Sequence, residues 1–205
     1  MMIKAIISDV GNVLVRFDPK LLDNFFDETI DFSRVERHNT SFSSIFQKDF
    51  YDKYERGKLT NEEFYKLCKK EYCLDVDFDN FKKGFSSHHF IDQSCDDNFA
   101  KMDKIRREKN IELVLLSNTN RLNFGEVLRI YPHLAEVKKI LSYEVNARKP
   151  EKNIFEYAVK MTGCDISECL FIDDIEDFVK AFTSLGGNSI VYTPGSNLDL
   201  SKYNL

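Results

Sequence analysis

The sequence predicts an α/β protein, a Rossmann-like doubly wound parallel sheet with an inserted helical cap, from three observations. Apolar runs rich in β-branched residues and leucine recur at 3–8, 111–116, 138–142, 168–172 and 189–192. Helical patterns alternate with the later runs, and a long segment between the first two has helical periodicity and no convincing strand. Strands that are apolar throughout need cover on both faces, which helices flanking a parallel sheet provide.

The first run, Ile3 to Ile7, ends at Asp9, and Val10-Gly11-Asn12-Val13 follows at once. This places a carboxylate at the C-terminal edge of a strand, beside a turn. From 18 to 95 the spacing predicts the cap. Leu21, Leu22, Phe25 and Phe26 form one amphipathic face; Phe46, Phe50, Tyr51 and Tyr54 a second; Phe64, Leu67 and Cys68 a third, entered through the capping sequence Thr60-Asn61-Glu62-Glu63. Aromatic stripes of this kind pack within the insertion. Residues 1–17 and 96–205 then form the core, with hinges near 16–19 and 90–98. Core helices are predicted over 122–130, over 151–162 with Pro150 placed to start the helix, and over 175–186, ending at Gly186-Gly187. The polar tail after Pro194 is expected to lie along the surface.

Composition narrows the partners. A hydrophobic content of 42% in 205 residues supports a proper core. The net charge of −5 lacks the basic bias of a nucleic-acid reader, so a small anion must be met by local cations. No run approaches the roughly 20 apolar residues of a membrane span, and no signal peptide is recognised, so the expected location is the cytoplasm. The oligomeric state is left open. The five cysteines form no CxxC pair and read as reduced structural thiols, and the four histidines show no metal-ligand spacing.

In an open parallel sheet, ligands bind outside the strands' C-terminal ends. Besides Asp9, the polar groups at such ends are Ser117, Lys149 and the pair Asp173-Asp174. Each has a bland reading: Asp9 as a turn former, Ser117 as a helix N-cap, Lys149 as a solvated lysine. For Asp9 the cost of burying it near two further carboxylates without a cation favours a metal.

Asp9 in DVGNV, Ser117 in LLSNTN, Lys149 in ARKPE and Asp173-Asp174 in FIDDIED stand in the order found in the haloacid dehalogenase (HAD) superfamily. The chain resembles a HAD hydrolase whose cap follows the first motif, of the subset that includes α-glucose-1-phosphate phosphatases. The resemblance implies a Mg²⁺-dependent phosphatase acting on a small phosphorylated metabolite through an aspartyl-phosphate on Asp9. Asp9, Asp174 and the Gly11 carbonyl would then offer the hard oxygen ligands Mg²⁺ prefers, with Asp173 acting through water. Lys149 would balance charge. The Ser117 hydroxyl and the amides of Asn118 and Asn12 would donate to phosphate. Arg16 would reach phosphate or a sugar hydroxyl, or else pair with a cap acid such as Asp18. Asp177 would either orient the metal loop or lie exposed.

One departure stands out. Most phosphatases of this superfamily carry an aspartate two residues after the nucleophile to protonate the leaving group, and this chain has Gly11 there. Water, Asn12, His88, His89 or Arg16 would have to replace it, although adjacent histidines on a linker usually face solvent. A sugar 1-phosphate, with its more acidic leaving hydroxyl, depends least on the missing acid. The competing readings are a haloacid dehalogenase, a phosphoglucomutase and a non-catalytic binding module that kept the fold.

Overall fold

The computed structural model describes residues 2–30, 41–203 and 205. Residues 31–40, which include His38 and part of the expected cap, lie outside the described residues. Strand β1 (Ala5–Ser8) is followed by β2 (Arg16–Phe17), α1 (Pro19–Asp27), a 3₁₀ segment Phe42–Gln47, α2 (Asp49–Glu55), α3 (Asn61–Glu71), α4 (Phe78–Ser86) and β3 (His89–Phe90). The chain continues through α5 (Gln93–Lys109), β4 (Glu112–Ser117), α6 (Arg121–Ile130), β5 (Lys138–Leu141) and α7 (Ser142–Val145). It closes with α8 (Lys152–Thr162), β6 (Cys169–Asp173), α9 (Glu176–Ser184) and β7 (Asn188–Val191).

Five strands form one parallel sheet in the order β5-β4-β1-β6-β7. The chain winds outward from β1 through β4 to β5, then returns to the other side of β1 for β6 and β7. The order therefore reverses at β1, and the crevice at such a switch point is where this architecture binds ligands. Period-two alternation explains the double burial. Ile6, Leu113, Leu115, Leu170 and Ile172 face one layer, which includes Met102 and Phe124. Ala5, Ile7, Val114, Leu116 and Phe171 face the other, against Phe155 and Phe182.

The inserted helices carry their own core. Phe26 stacks on Phe42 at 3.8 Å, Tyr54 on Phe64 at 3.9 Å, and Phe81 and Phe85 close the cluster. Helix α1 starts from Asp18, whose side chain accepts from Lys20 N–H, with Pro19 at its first position. The capping box at Thr60 and Glu63 is formed in full.

Several expectations need correction. The junctions of the insertion contain strand: β2 pairs antiparallel with β3, Arg16 opposite Phe90 and Phe17 opposite His89. Helix α8 starts at Lys152 rather than Pro150, which follows a cis peptide bond to Lys149. The tail does not merely lie on the surface. Leu198 and Leu200 are buried in the sheet's core, and the Lys101 ammonium donates to the Leu198 carbonyl. His88 does not face solvent: it is fully buried, edge-on to Phe17 at 4.8 Å and beside Phe46 and Phe85. Burial pushes its pKa down to about 2, so it is neutral. None of the five cysteines forms a disulfide.

Candidate active site

Asp9 follows the last residue of β1, Ser117 ends β4, and Asp173 ends β6. Neighbouring strands in register bring three separate segments to one edge, and Asp9 N–H donates to the Ile172 carbonyl at 2.8 Å. After Asp9 the chain makes a tight loop in which Leu14 and Val15 N–H both donate to the Val10 carbonyl and Asn12 adopts φ 56°. Asparagine tolerates that left-handed conformation better than most residues.

Lys149 is 3% exposed, and its ammonium lies 2.7 Å from Asp9 Oδ1 and 2.6 Å from Asp173 Oδ2. Asn118 fixes the lysine's backbone from both sides: its Nδ2 donates to the Lys149 carbonyl at 3.0 Å, and its Oδ1 accepts from Lys149 N–H at 2.8 Å. Burial pushes the Asp9 carboxyl up to about 7; Lys149 opposes this, and the charges of Asp173 and Asp174 add to it. Burial alone would lower Lys149, but Asp173 and Asp9 outweigh it and raise its pKa. Asp174 is raised by burial, against the hydrogen bond from Asn12.

Three carboxylates around one ammonium leave an excess of negative charge in a largely dry place, which a divalent cation relieves. One oxygen from each of Asp9, Asp173 and Asp174 lies within 4.8 Å of the others. Not all of these oxygens are free. Asp173 Oδ2 takes Lys149, and its Oδ1 accepts from Ile175 N–H at 2.8 Å, so this carboxylate braces the lysine and the loop. Asp9 Oδ2, Asp174 and the Gly11 carbonyl are the oxygens better placed to ligate a cation. The Gly11 carbonyl keeps one lone pair after accepting from Val13 N–H.

For an anion the site offers the Ser117 hydroxyl, which makes only a long contact of 3.5 Å to the Asn118 carbonyl among the described residues. It also offers the N–H groups of Val10, Gly11 and Asn118, which donate to no backbone acceptor among the described residues. Asn12 does not fit the role expected of it: its N–H is committed to the Val15 carbonyl at 2.7 Å, and its Nδ2 donates to Asp174 Oδ2 at 2.9 Å. It positions Asp174. Arg16 also sits elsewhere, its Nε 2.6 Å from Asp92, outside the cavity lining. Ser117 is not a helix cap; Asn120 caps α6 by accepting from Asn123 N–H. Asp177 is exposed on the first turn of α9.

A cavity of about 380 Å³ opens above Asp9, Ser117, Lys149 and Asp174. Helix α2 roofs it. From the cap, Tyr51, Glu55, Phe46 and His89 reach its wall, and Arg148 and Asn123 complete it from the core. Ion pairs seat the cap. Arg148 Nη1 donates to Asp52 at 2.7 Å, Arg148 Nη2 lies 2.6 Å from Glu55, and Arg56 pairs with Glu151. Among the residues that sequence reasoning missed, Arg148 had a signal in its place next to Lys149. Glu55 and Asn123 had none, being one acid and one amide among many.

Of the expected substitutes for the acid missing at Gly11, His88 does not line the cavity and Arg16 is paired. His89 faces it, but its Nδ1 contacts the Ser86 carbonyl at 3.2 Å and therefore carries the proton. Burial lowers its pKa, so Nε2 is left as an acceptor.

A parallel sheet with this order, ending in a carboxylate, a serine, a lysine and an aspartate pair about one capped crevice, defines a HAD-type hydrolase. The family model for haloacid dehalogenase-like hydrolases matches residues 3–186, and the chain belongs to that family. It is 28% identical over 201 residues to a D-ribitol-5-phosphate phosphatase of Bacteroides thetaiotaomicron, a match covering 90% of this chain and 89% of that one. It is also 23% identical over 192 residues to the drimenol cyclase drtB of Aspergillus calidoustus. That match takes in 93% of this chain but 34% of the cyclase, so the chain spans about a third of that relative's length. A crystal structure of a wild-type HAD family enzyme from B. thetaiotaomicron, in complex with magnesium and inorganic phosphate, is similar at a TM-score of 0.77 and 25% identity, over 98% of both chains.

Proposed function

We propose that the protein is a Mg²⁺-dependent phosphatase of small phosphorylated metabolites, sugar or polyol phosphates in particular, working in the cytoplasm through an aspartyl-phosphate on Asp9. The observation that carries this reading is the meeting of Asp9, Lys149 and Asp174 at the switch point, beneath a cavity of about 380 Å³. That volume is at the small end of ligand sites and suits a metabolite. The relative named for D-ribitol 5-phosphate supports the substrate class.

Asp9 attacks phosphorus, the ester P–O bond breaks and the alcohol leaves. Water then attacks the phosphorus of the aspartyl-phosphate, releasing inorganic phosphate and restoring the carboxylate. Lys149, Ser117 and the N–H groups of Val10, Gly11 and Asn118 hold the phosphoryl oxygens. Asp173 and Asn118 keep Lys149 in place. Asp9, Asp174 and the Gly11 carbonyl would hold Mg²⁺, which when bound neutralises charge on the transferring group. Since His89 accepts rather than donates, water supplies the leaving group's proton.

The test is phosphate release from a panel of sugar, polyol and nucleotide phosphates with Mg²⁺, comparing the wild type with Asp9→Asn. Release that depends on both the metal and Asp9 is the expected result. Equal release, or none, from the two proteins removes the phosphatase reading and favours a binding module.

A further inference from the structure

The reaction uses the floor of the cavity and leaves its far wall unexplained. Six side-chain atoms among the described residues are buried and without a hydrogen-bond partner, and three of them, Glu55 Oε2, Asn123 Oδ1 and Arg148 Nε, belong to residues lining this one cavity. Buried polar groups are ordinarily satisfied; Glu55 Oε2 has the Arg148 guanidinium beside it, whereas Asn123 Oδ1 and Arg148 Nε have no partner among the described residues and call for one from a ligand. Asn123 is 5% exposed, and its carboxamide enters no hydrogen bond among the described residues. Glu55 is 4% exposed; Oε1 accepts from the Tyr51 hydroxyl at 2.9 Å, whereas Oε2 meets the Arg148 guanidinium at 2.6 Å off hydrogen-bond geometry. His89 adds Nε2, an acceptor. The wall is thus rich in acceptors, Glu55, Asn123 and His89, with one spare donor on Arg148. Its complement is a ligand with several hydroxyl groups. A second phosphate would be repelled by Glu55, and a purely apolar tail would leave the Asn123 carboxamide, Arg148 Nε and His89 Nε2 unpaired.

We propose that Glu55, Asn123, Arg148 and His89 form a hydroxyl-recognition subsite that selects a polyhydroxylated tail on the phosphate ester. This rests on the phosphatase reading and adds to it the residues that would select its substrate. Arg148 directly precedes Lys149, so the tail-binding and phosphate-binding groups hang on one rigid segment. Glu55 comes from the cap, so the tail is gripped only with the cap seated.

The test compares kcat/KM for D-ribitol 5-phosphate with that for n-pentyl phosphate, which is likewise the ester of a primary alcohol and presents no further hydroxyl. The wild type is expected to prefer the polyol ester, and Asn123→Leu to lower the ratio of the two values at least about tenfold, as losing one well-made buried hydrogen bond does. Glu55→Gln keeps the shape of the side chain and is expected to lower the ratio in the same direction, and it decides the matter if Asn123→Leu does not fold. A ratio that stays constant in the folded variants, or a wild type with no preference, overturns the subsite while leaving the phosphatase reading intact. If no ester is turned over, calorimetric binding of D-ribitol 5-phosphate to Asp9→Asn, with and without Asn123→Leu, still decides. A loss of affinity of about tenfold supports the subsite, and equal affinity or no binding overturns it.

Discussion

Gly11→Asp would install a carboxyl two residues after Asp9, and the structure has room for it. A Cβ built on Gly11 meets only Asp9 Oδ2, at 3.8 Å, an ordinary van der Waals contact, and the backbone there is not in the left-handed region. The new carboxyl would lie about 5 Å from the Asp9 carboxylate, where like charges repel by about 3 kcal/mol at an effective dielectric of about 20. Repulsion of that size favours the protonated form, the state a general acid needs. A positioned acid contributes about 10² to 10⁴ in rate, or roughly 3–5 kcal/mol of barrier, when the departing group is a poor one. The assay is kcat with Mg²⁺ on a simple alkyl phosphate beside an aryl phosphate carrying an acidic phenol. The alkyl ester should gain by about 10² or more, and the aryl ester far less, since a stable phenolate leaves without a proton. A gain shared equally by both esters, or absent from both, refutes the argument that proton donation is what the wild type lacks.

Acid should loosen the fold through His88. With its pKa held near 2 by burial, the folded state stays unprotonated while the unfolded chain takes up a proton below about 6.5. The stability contributed by the neutral ring is complete above about pH 6.5 and falls by about 1.4 kcal/mol for each unit below it. Urea titrations from pH 7 to 5 should show His88→Phe with a slope shallower by that amount, and parallel slopes would contradict the burial argument. A separate prediction concerns the cap's seat on the core. Gly57 has φ +69°, and a Cβ there would come within 2.1 Å of the Tyr143 carbonyl oxygen. Gly57→Ala should cost at least about 2 kcal/mol, and at 2–4 °C per kcal/mol should lower Tm by about 4–8 °C. A Tm within about 1 °C of the wild type in calorimetry would show that the helices can withdraw from the core at little cost.

The sheet was legible because its information is local. A strand buried on both faces shows as an apolar run wherever it lies, so β1, β4, β5, β6 and β7 each fall within two residues of the runs that foretold them. Asp9, Ser117 and Asp173-Asp174 were legible as candidates for the same reason, each standing at or just beyond the end of such a run, and Lys149 follows the run at 138–142 after a short interval. Neither the tail nor His88 announced itself. Leu198 and Leu200 are isolated leucines in a polar stretch, and a histidine beside a histidine carries no sign that Phe17, Phe46 and Phe85 will enclose it.

What sequence alone determined was the class of fold and the set of chemical groups available to the site, because periodicity and motif order survive without coordinates. Which oxygen each group commits was decided by packing. Asp173 is spent on Lys149 and Ile175, Asn12 on Asp174, and Arg16 on Asp92, leaving Val10 and Gly11 to offer the free amides. The pairing of Glu55 with Arg148 joins residues far apart in the chain, and only the docking of helix α2 over the sheet edge brings them together. Hydrogen bonds and ion pairs act over a few ångströms, and contacts of that range between distant segments exist only once the tertiary structure has placed both partners.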